Sequence, residues 1–195
     1  FLDEECFWIV NGDVVADVSP RPFLALHRQM HPLAVLWLHD HLGPRTVEMA
    51  DRTITGFHSA TPGAPGTYTF CGLHLVSRRL LDFLPPSGPS SIIDAYRRAM
   101  QDGYPVAGVC PPGAFWADIG TPAGYLEAHR RLIEETTFNR GPSHRGKEQG
   151  GSWACLGRHV RRAPGCRVRN SVVLDNAALG PAADLDQAIV DQGVK

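Results

Sequence analysis

The chain has 195 residues, enough for one domain or one domain with a small appendage. Its 43% hydrophobic and 20% charged content fits a globular protein, and a net charge of -1 with both signs interspersed gives no electrostatic case for nucleic acid or an anionic membrane. No apolar run reaches membrane-spanning length. The five cysteines are odd in number and form no C-x-x-C pair. They read as reduced residues of a cytoplasmic protein, with Cys6, Cys71 and Cys110 in the core, rather than as a disulfide frame or zinc site.

Cys6 to Val10 is a continuous apolar run, the pattern of a strand covered on both faces. It starts almost at the first residue, without an initiating methionine or a basic leader, and reads as the beginning of a fragment. Asn11-Gly12-Asp13 follows it. After Pro20 and Pro22, residues Phe23, Leu26, His27 and Met30 share one helical face, and Leu33 to Leu38 is a second buried-strand candidate. Strand, helix and strand in this order argue for an α/β fold. Short strands around Val47 and Ile54 to Phe57 are separated by a turn at Ala50-Asp51-Arg52, and a Pro/Gly-rich loop runs from Ser59 to Gly66. Thr67 to Leu75 reads as a strand, and Ser77 as the N-cap of a short helix. Ser90 or Ser91 caps a longer helix through Met100, with Gly103 past its end. Tyr104 to Cys110 is another strand, turned by Pro111-Pro112-Gly113 into Phe115 to Asp118. Thr121 at N-cap and Pro122 at N1 start a helix whose apolar face is Tyr125, Leu126, His129, Leu132 and Ile133.

The pattern fails over 136–152, which reads as a flexible linker. Beyond it, Leu179-Gly180-Pro181-Ala182-Ala183-Asp184 has the hexapeptide form of left-handed β-helices, and Val173, Leu179 and Leu185 keep a six-residue step. Val168 to Val173 also resembles Leu185 to Val190, about one coil later. A loop-rich all-β tail with accidental periodicity is the plainer alternative. The expected organisation is a catalytic domain over 1–135, a linker over 136–152 and a β-helix over 153–195.

Two motifs carry chemistry. Asn11-Gly12-Asp13 sits past the carboxyl end of a strand, the edge where open α/β sheets bind ligands. Its glycine permits close approach to backbone, and its aspartate is a hard oxygen ligand suited to Mg²⁺. A plain turn uses the same three residue types. Trp116-Ala117-Asp118-Ile119-Gly120-Thr121-Pro122 places a second aspartate between a strand and a helix start, where backbone N–H groups suit phosphate. A helix-capping carboxylate is the simpler reading of Asp118.

The order of these motifs, with Thr69-Phe70-Cys71-Gly72 between them and hexapeptide repeats after them, resembles the sugar-1-phosphate nucleotidyltransferases, or NDP-sugar pyrophosphorylases, over essentially the whole chain. The resemblance implies a Rossmann-like mixed-sheet domain of the GT-A kind, incomplete at its N-terminus, followed by a short left-handed parallel β-helix. It implies that Asp13 and Asp118 bind Mg²⁺ and carry the catalysis. Asn11, Gly12, Gly72, Trp116 and Gly120 would then contact the nucleotide sugar. The implied reaction joins a nucleoside triphosphate and a sugar 1-phosphate into an NDP-sugar and releases pyrophosphate, by in-line attack without a covalent enzyme intermediate. The β-helix could join subunits into a homo-oligomer.

Two departures from the family pattern stand out. No Gly-rich loop with a following Pro-Lys pair is present, so the segment that grips the triphosphate is missing and this piece is expected to be inactive alone. Where many members carry a Glu-Lys pair, this chain has Gly56-Phe57-His58-Ser59-Ala60. Thr69-Phe70-Cys71-Gly72 is similar to the muramate-type uridylyltransferases; mannose-1-phosphate guanylyltransferases and hexose-1-phosphate uridylyltransferases are the other types considered. A regulatory paralogue that binds an NDP-sugar without turnover is the alternative function. An acyltransferase fits poorly, because the tail is short and shows no catalytic histidine.

Other residues have milder readings. His39-Asp40-His41 could pair on a metal at a strand end, although such triplets are usually solvated loop residues. His27, His74 and His129 fall on apolar faces and read as core or boundary residues. Arg158, Arg161, Arg162, Arg167 and Arg169 make the tail entrance basic, as a solvated face or as a phosphate or subunit contact.

Overall fold

A computed structural model describes residues 5–134, 144–147 and 152–194. The chain forms two compact units, 1–116 and 117–195.

The first unit contains β1 (Cys6–Val10), β2 (Val14–Asp17), α1 (Arg21–Met30), β3 (Ala34–His39), β4 (Val47–Ala50), β5 (Thr53–Gly56) and β6 (Thr67–Ser77). A 3₁₀ helix over Arg78–Phe83, α2 (Ile92–Gln101), β7 (Val106–Val109) and the start of β8 (Phe115–Asp118) follow. Its main sheet has the order β1-β6-β3-β7-β5-β4 and is mixed: β3 runs parallel to β7 and antiparallel to β6. All six residues of β3 are buried, as their unbroken apolar run requires. The sheet does not stay open. β4 also pairs with the start of β6, Val47 opposite Tyr68 and Glu48 opposite Thr67, so β6, β3, β7, β5 and β4 close on one another. The 11-residue β6 makes this possible, and its pairing with β3 shifts register between Leu36 and Leu38.

Several local signals act as their chemistry predicts. Ser77 accepts the Arg79 N–H at the start of the 3₁₀ helix, and Gly103 takes φ +82° just past α2. Asp51 and Arg52 both have positive φ, joining β4 to β5 through a two-residue hairpin turn. Two readings need correction. β1 is not covered on both faces: Trp8 and Val10 are exposed, because among the described residues β1 pairs with β6 alone and lies at the sheet edge. Cys110 is exposed rather than in the core, because it lies one residue past the end of β7.

Two apolar layers cover the sheet. One joins Leu36, Leu38, Ile54, Val76 and Val106 to Tyr96 and Ala99 of α2. The other joins Val35, Trp37, Cys71 and Leu75 to Phe23 and Leu26 of α1 and to Trp116. The helical face read around Phe23 and Leu26 is therefore the face that α1 buries.

The second unit contains the end of β8, α3 (Pro122–Glu134), β9 (His144–Lys147), β10 (Trp153–Leu156), β11 (Arg161–Arg162), β12 (Arg167–Arg169), β13 (Ser171–Val173), β14 (Ala178–Leu179), β15 (Asp184–Asp186) and β16 (Ile189–Val190). The last seven strands stack in parallel. Ala154 lies opposite Ser171, Arg161 opposite Ala178, Arg167 opposite Asp184 and Val172 opposite Ile189, a step of 17 residues in each case. The two similar segments at 168–173 and 185–190 are thus stacked in register. Val173, Leu179 and Leu185 fall on three successive strands and meet in one interior cluster with Val168 and Ala177. Ser171 is fully buried between coils; its hydroxyl accepts the Ala188 N–H and donates to the Arg169 carbonyl. Outside, Arg158 pairs with Asp175, and Arg169 with Asp184 and Asp186, so these arginines of the basic tail entrance face aspartates one coil on.

α3 packs Tyr125, Leu126 and Ile133 against Trp153, Cys155 and Val172. This apolar contact groups the helix with the stacked strands rather than with residues 1–116. The stretch read as a linker contains β9, whose backbone runs antiparallel to β10; the rest of that stretch, apart from Ser152, lies outside the described residues.

Candidate functional site

β1 delivers Asn11-Gly12-Asp13 to the turn before β2, where all three residues are exposed. The Asn11 N–H donates to the Gly72 carbonyl at 2.8 Å. Gly72 lies within β6 at φ +73°, and a Cβ there would sit 2.7 Å from Asn11 Nδ2 and 3.0 Å from Asn11 Cβ. The chain needs glycine here for both backbone conformation and space. The next carbonyl back, Cys71 O, accepts the Trp116 indole N–H at 3.0 Å. Asn11 and Trp116 therefore hold two successive peptide units of β6. Trp116 itself is buried, with its ring 6.2 Å from that of His39. Burial pushes the Cys71 thiol ionisation far up, so this cysteine stays a neutral apolar side chain.

The structure thus brings Asn11, Gly72 and Trp116 together through the backbone of residues 71–72, with Gly12 and Asp13 in the adjoining turn. Asp118 and Gly120 belong to the second unit. Asp118 is exposed, and its Oδ1 accepts the Gly120 N–H at 2.9 Å. Thr121 Oγ1 accepts the Gly124 N–H at 3.1 Å, confirming the N-cap ahead of Pro122. Gly124 is a positioning residue that motif reading passed over. A Cβ on it would lie 2.4 Å from the Asp118 carbonyl oxygen, so the first turn of α3 rests directly on the backbone of Asp118. The signal for it was a helix-disfavouring glycine inside a predicted first turn.

Gly124→Ala is expected to displace Asp118 or the start of α3, since backbone cannot swing aside as a side-chain tip can. A loss of about 1–3 kcal/mol in denaturant unfolding is expected; unchanged stability together with an unchanged Asp118 backbone NMR signal would refute the contact.

The first unit is thus a mixed α/β sheet with a glycine-bearing turn at the carboxyl end of β1. The comparisons agree. Residues 58–135 match the family described as nucleotidyl transferase. That match covers less than half of the chain. It is 24% identical over 202 residues to a glucose-1-phosphate adenylyltransferase of Deinococcus deserti, an alignment covering 73% of this chain and 49% of that one. The chain therefore spans about half the length of the curated relative it matches. Among solved structures, a UTP-bound UGPase and a UDP-glucose pyrophosphorylase, both from Acinetobacter baumannii, each superpose with a TM-score of 0.55 at 18% identity. Each covers 70% of this chain and 54% of its own. At that identity the likeness establishes the fold. No helix among the described residues is long and apolar enough to cross a membrane.

Proposed function

We propose that this chain is part of a sugar-1-phosphate nucleotidyltransferase, which converts a nucleoside triphosphate and a sugar 1-phosphate to an NDP-sugar and pyrophosphate. The observation that carries this reading is the backbone of 71–72, packed against the Asn11 side chain and held by Asn11 and Trp116 beside the exposed Asn11-Gly12-Asp13 turn. Peptide groups fixed in this way cost little reorganisation when a sugar phosphate binds beside the turn. In the reaction a phosphate oxygen of the sugar 1-phosphate forms a bond to the α-phosphorus, and the bond to the leaving pyrophosphate breaks. The protein's task is alignment and charge neutralisation rather than covalent chemistry.

Asp13 and Asp118 are the proposed Mg²⁺ ligands. Both are exposed carboxylates, hard oxygen donors of the kind Mg²⁺ prefers, and the hydrogen bond from Gly120 orients one oxygen of Asp118. When bound, the ion would neutralise phosphate charge. Gly12 and Gly120 are proposed to leave room for the nucleotide sugar. In the full-length gene product, Asp13→Ala and Asp118→Ala are each expected to lower pyrophosphate release at least 10³-fold, a loss on the scale of removing a key electrostatic group. Near-normal turnover in either would refute the metal assignment.

On the finer substrate type, Thr69-Phe70-Cys71-Gly72 is similar to the muramate-type uridylyltransferases, and a hexose-1-phosphate uridylyltransferase or a mannose-1-phosphate guanylyltransferase is the alternative proposed. We also infer that 153–194 is a left-handed β-helix, supported by its 17-residue parallel step and the Leu179-Gly180-Pro181 motif, and that it contributes to self-association. A turnover panel of nucleoside triphosphates and sugar 1-phosphates tests the substrate assignment. NDP-sugar binding in calorimetry without any turnover would point instead to a regulatory paralogue.

A further inference from the structure

The carboxyl end of β3 carries a cluster that the proposed reaction does not use. His39, Asp40 and His41 each offer one donor atom within 4.8 Å of the others. His39 Nδ1 lies 3.7 Å from Asp40 Oδ1, and His41 Nδ1 lies 2.5 Å from the same oxygen. The two imidazole rings are 4.3 Å apart, centre to centre. A tetrahedral site with bonds of about 2.0–2.1 Å needs ligand atoms about 3.3 Å apart. The two separations to Asp40 straddle that value, and all three donor atoms lie within 4.8 Å of one another.

The tautomer of His39 also suits a ligand. Its Nδ1 accepts the backbone N–H groups of His41 at 3.3 Å and Leu42 at 3.2 Å. Those bonds hold the ring with Nδ1 unprotonated, the form that a metal-binding nitrogen requires. A metal on Nδ1 would take the place of both bonds, which at 3.2–3.3 Å lie at the long end of the range. His39 is anchored at 11% side-chain exposure, whereas Asp40 and His41 are open at 58% and 74%. The cluster therefore has one fixed ligand, two adjustable ones and an unobstructed entry path.

We propose that His39, Asp40 and His41 bind one borderline-soft divalent cation of the Zn²⁺ class. Two imidazole nitrogens and one carboxylate select for such an ion over Mg²⁺, which prefers oxygen donors and retains its water. The fourth position is left to water, as in open zinc sites. The bound ion would fix the turn after β3.

The test is a Co²⁺ titration of the untagged chain, followed by visible absorption with Mg²⁺ in large excess. The expected result is one Co²⁺ per chain, with the strong bands of a four-coordinate site, displaced stoichiometrically by Zn²⁺. His41→Ala and Asp40→Asn should each weaken binding at least about tenfold. Both residues are exposed, and circular dichroism of each variant verifies that it folds. Three outcomes would overturn the proposal: no saturable Co²⁺ binding, binding unchanged in His41→Ala, or loss of the bands on adding Mg²⁺.

Discussion

Trp37→Ala is expected to destabilise the first unit by about 3–5 kcal/mol, the range for deleting a large aromatic from a packed core. Trp37 is 1% exposed and lies in the middle of β3. It belongs to the apolar layer that joins Phe23 and Leu26 of α1 to Cys71 and Trp116. Removing the indole leaves a cavity beneath the residues that hold the backbone of 71–72. Domains of this size are stable by only about 5–15 kcal/mol, so the loss takes a large share of the total. Trp8→Ala is the control. Trp8 is 38% exposed on the edge strand, and its removal should cost well under half as much. Denaturant unfolding followed by circular dichroism decides the matter; a loss below about 1 kcal/mol in Trp37→Ala would contradict the packing described.

Acid should unfold this protein earlier than its carboxylates alone would dictate, because of His74. This residue is 1% exposed in β6, its Nδ1 hydrogen-bonds the hydroxyl of Tyr96, and its Nε2 has no hydrogen-bond partner among the described residues. Phe57 stacks on the other side of Tyr96, and Phe70 lies 5.1 Å from the His74 ring. Burial disfavours the imidazolium and lowers its pKa from 6.5 to about 4. Between these values the unfolded chain binds a proton that the folded chain refuses. Stability from this group is therefore constant above about pH 6.5 and falls as pH drops toward 4. A shift of that size corresponds to about 3 kcal/mol lost by pH 4. His74→Gln keeps an acceptor for Tyr96 and cannot titrate. Its stability should fall less steeply over the same window, and identical slopes in the two proteins would show that His74 is not the group responsible.

The sequence carried more of the second unit than of the first. Each coil repeats the side-chain pattern of the one before, so a local step of six and a longer echo already identify the inward residues Val168, Val173, Leu179 and Leu185. Helix signals were equally local. Thr121-Pro122, Ser77 and Gly103 mark their boundaries through bonds made within a few residues. Gly72 was legible as a position needing glycine, and the structure gives it a positive φ against the Asn11 side chain.

What escaped depends on partners far along the chain. An apolar pentapeptide is the same string at a sheet edge or at its centre, so the exposure of Trp8 and Val10 in β1 could not be read from it. The pairing of β4 with the first residues of β6, which closes the sheet, rests on a long-range register with no local signature. The meeting of His74 with Tyr96, 22 residues away, has none either. Nor does the contact between Gly124 and the Asp118 carbonyl, because clearance between two stretches of backbone is set by how they fold rather than by what they are. By itself the sequence determined the mixed α/β character of the first unit and the repeating apolar step of the second. The tertiary structure decided which strands lie at an edge, which glycines are crowded and, among the described residues, which polar group is buried without a partner, since burial and clearance are properties of the packed chain.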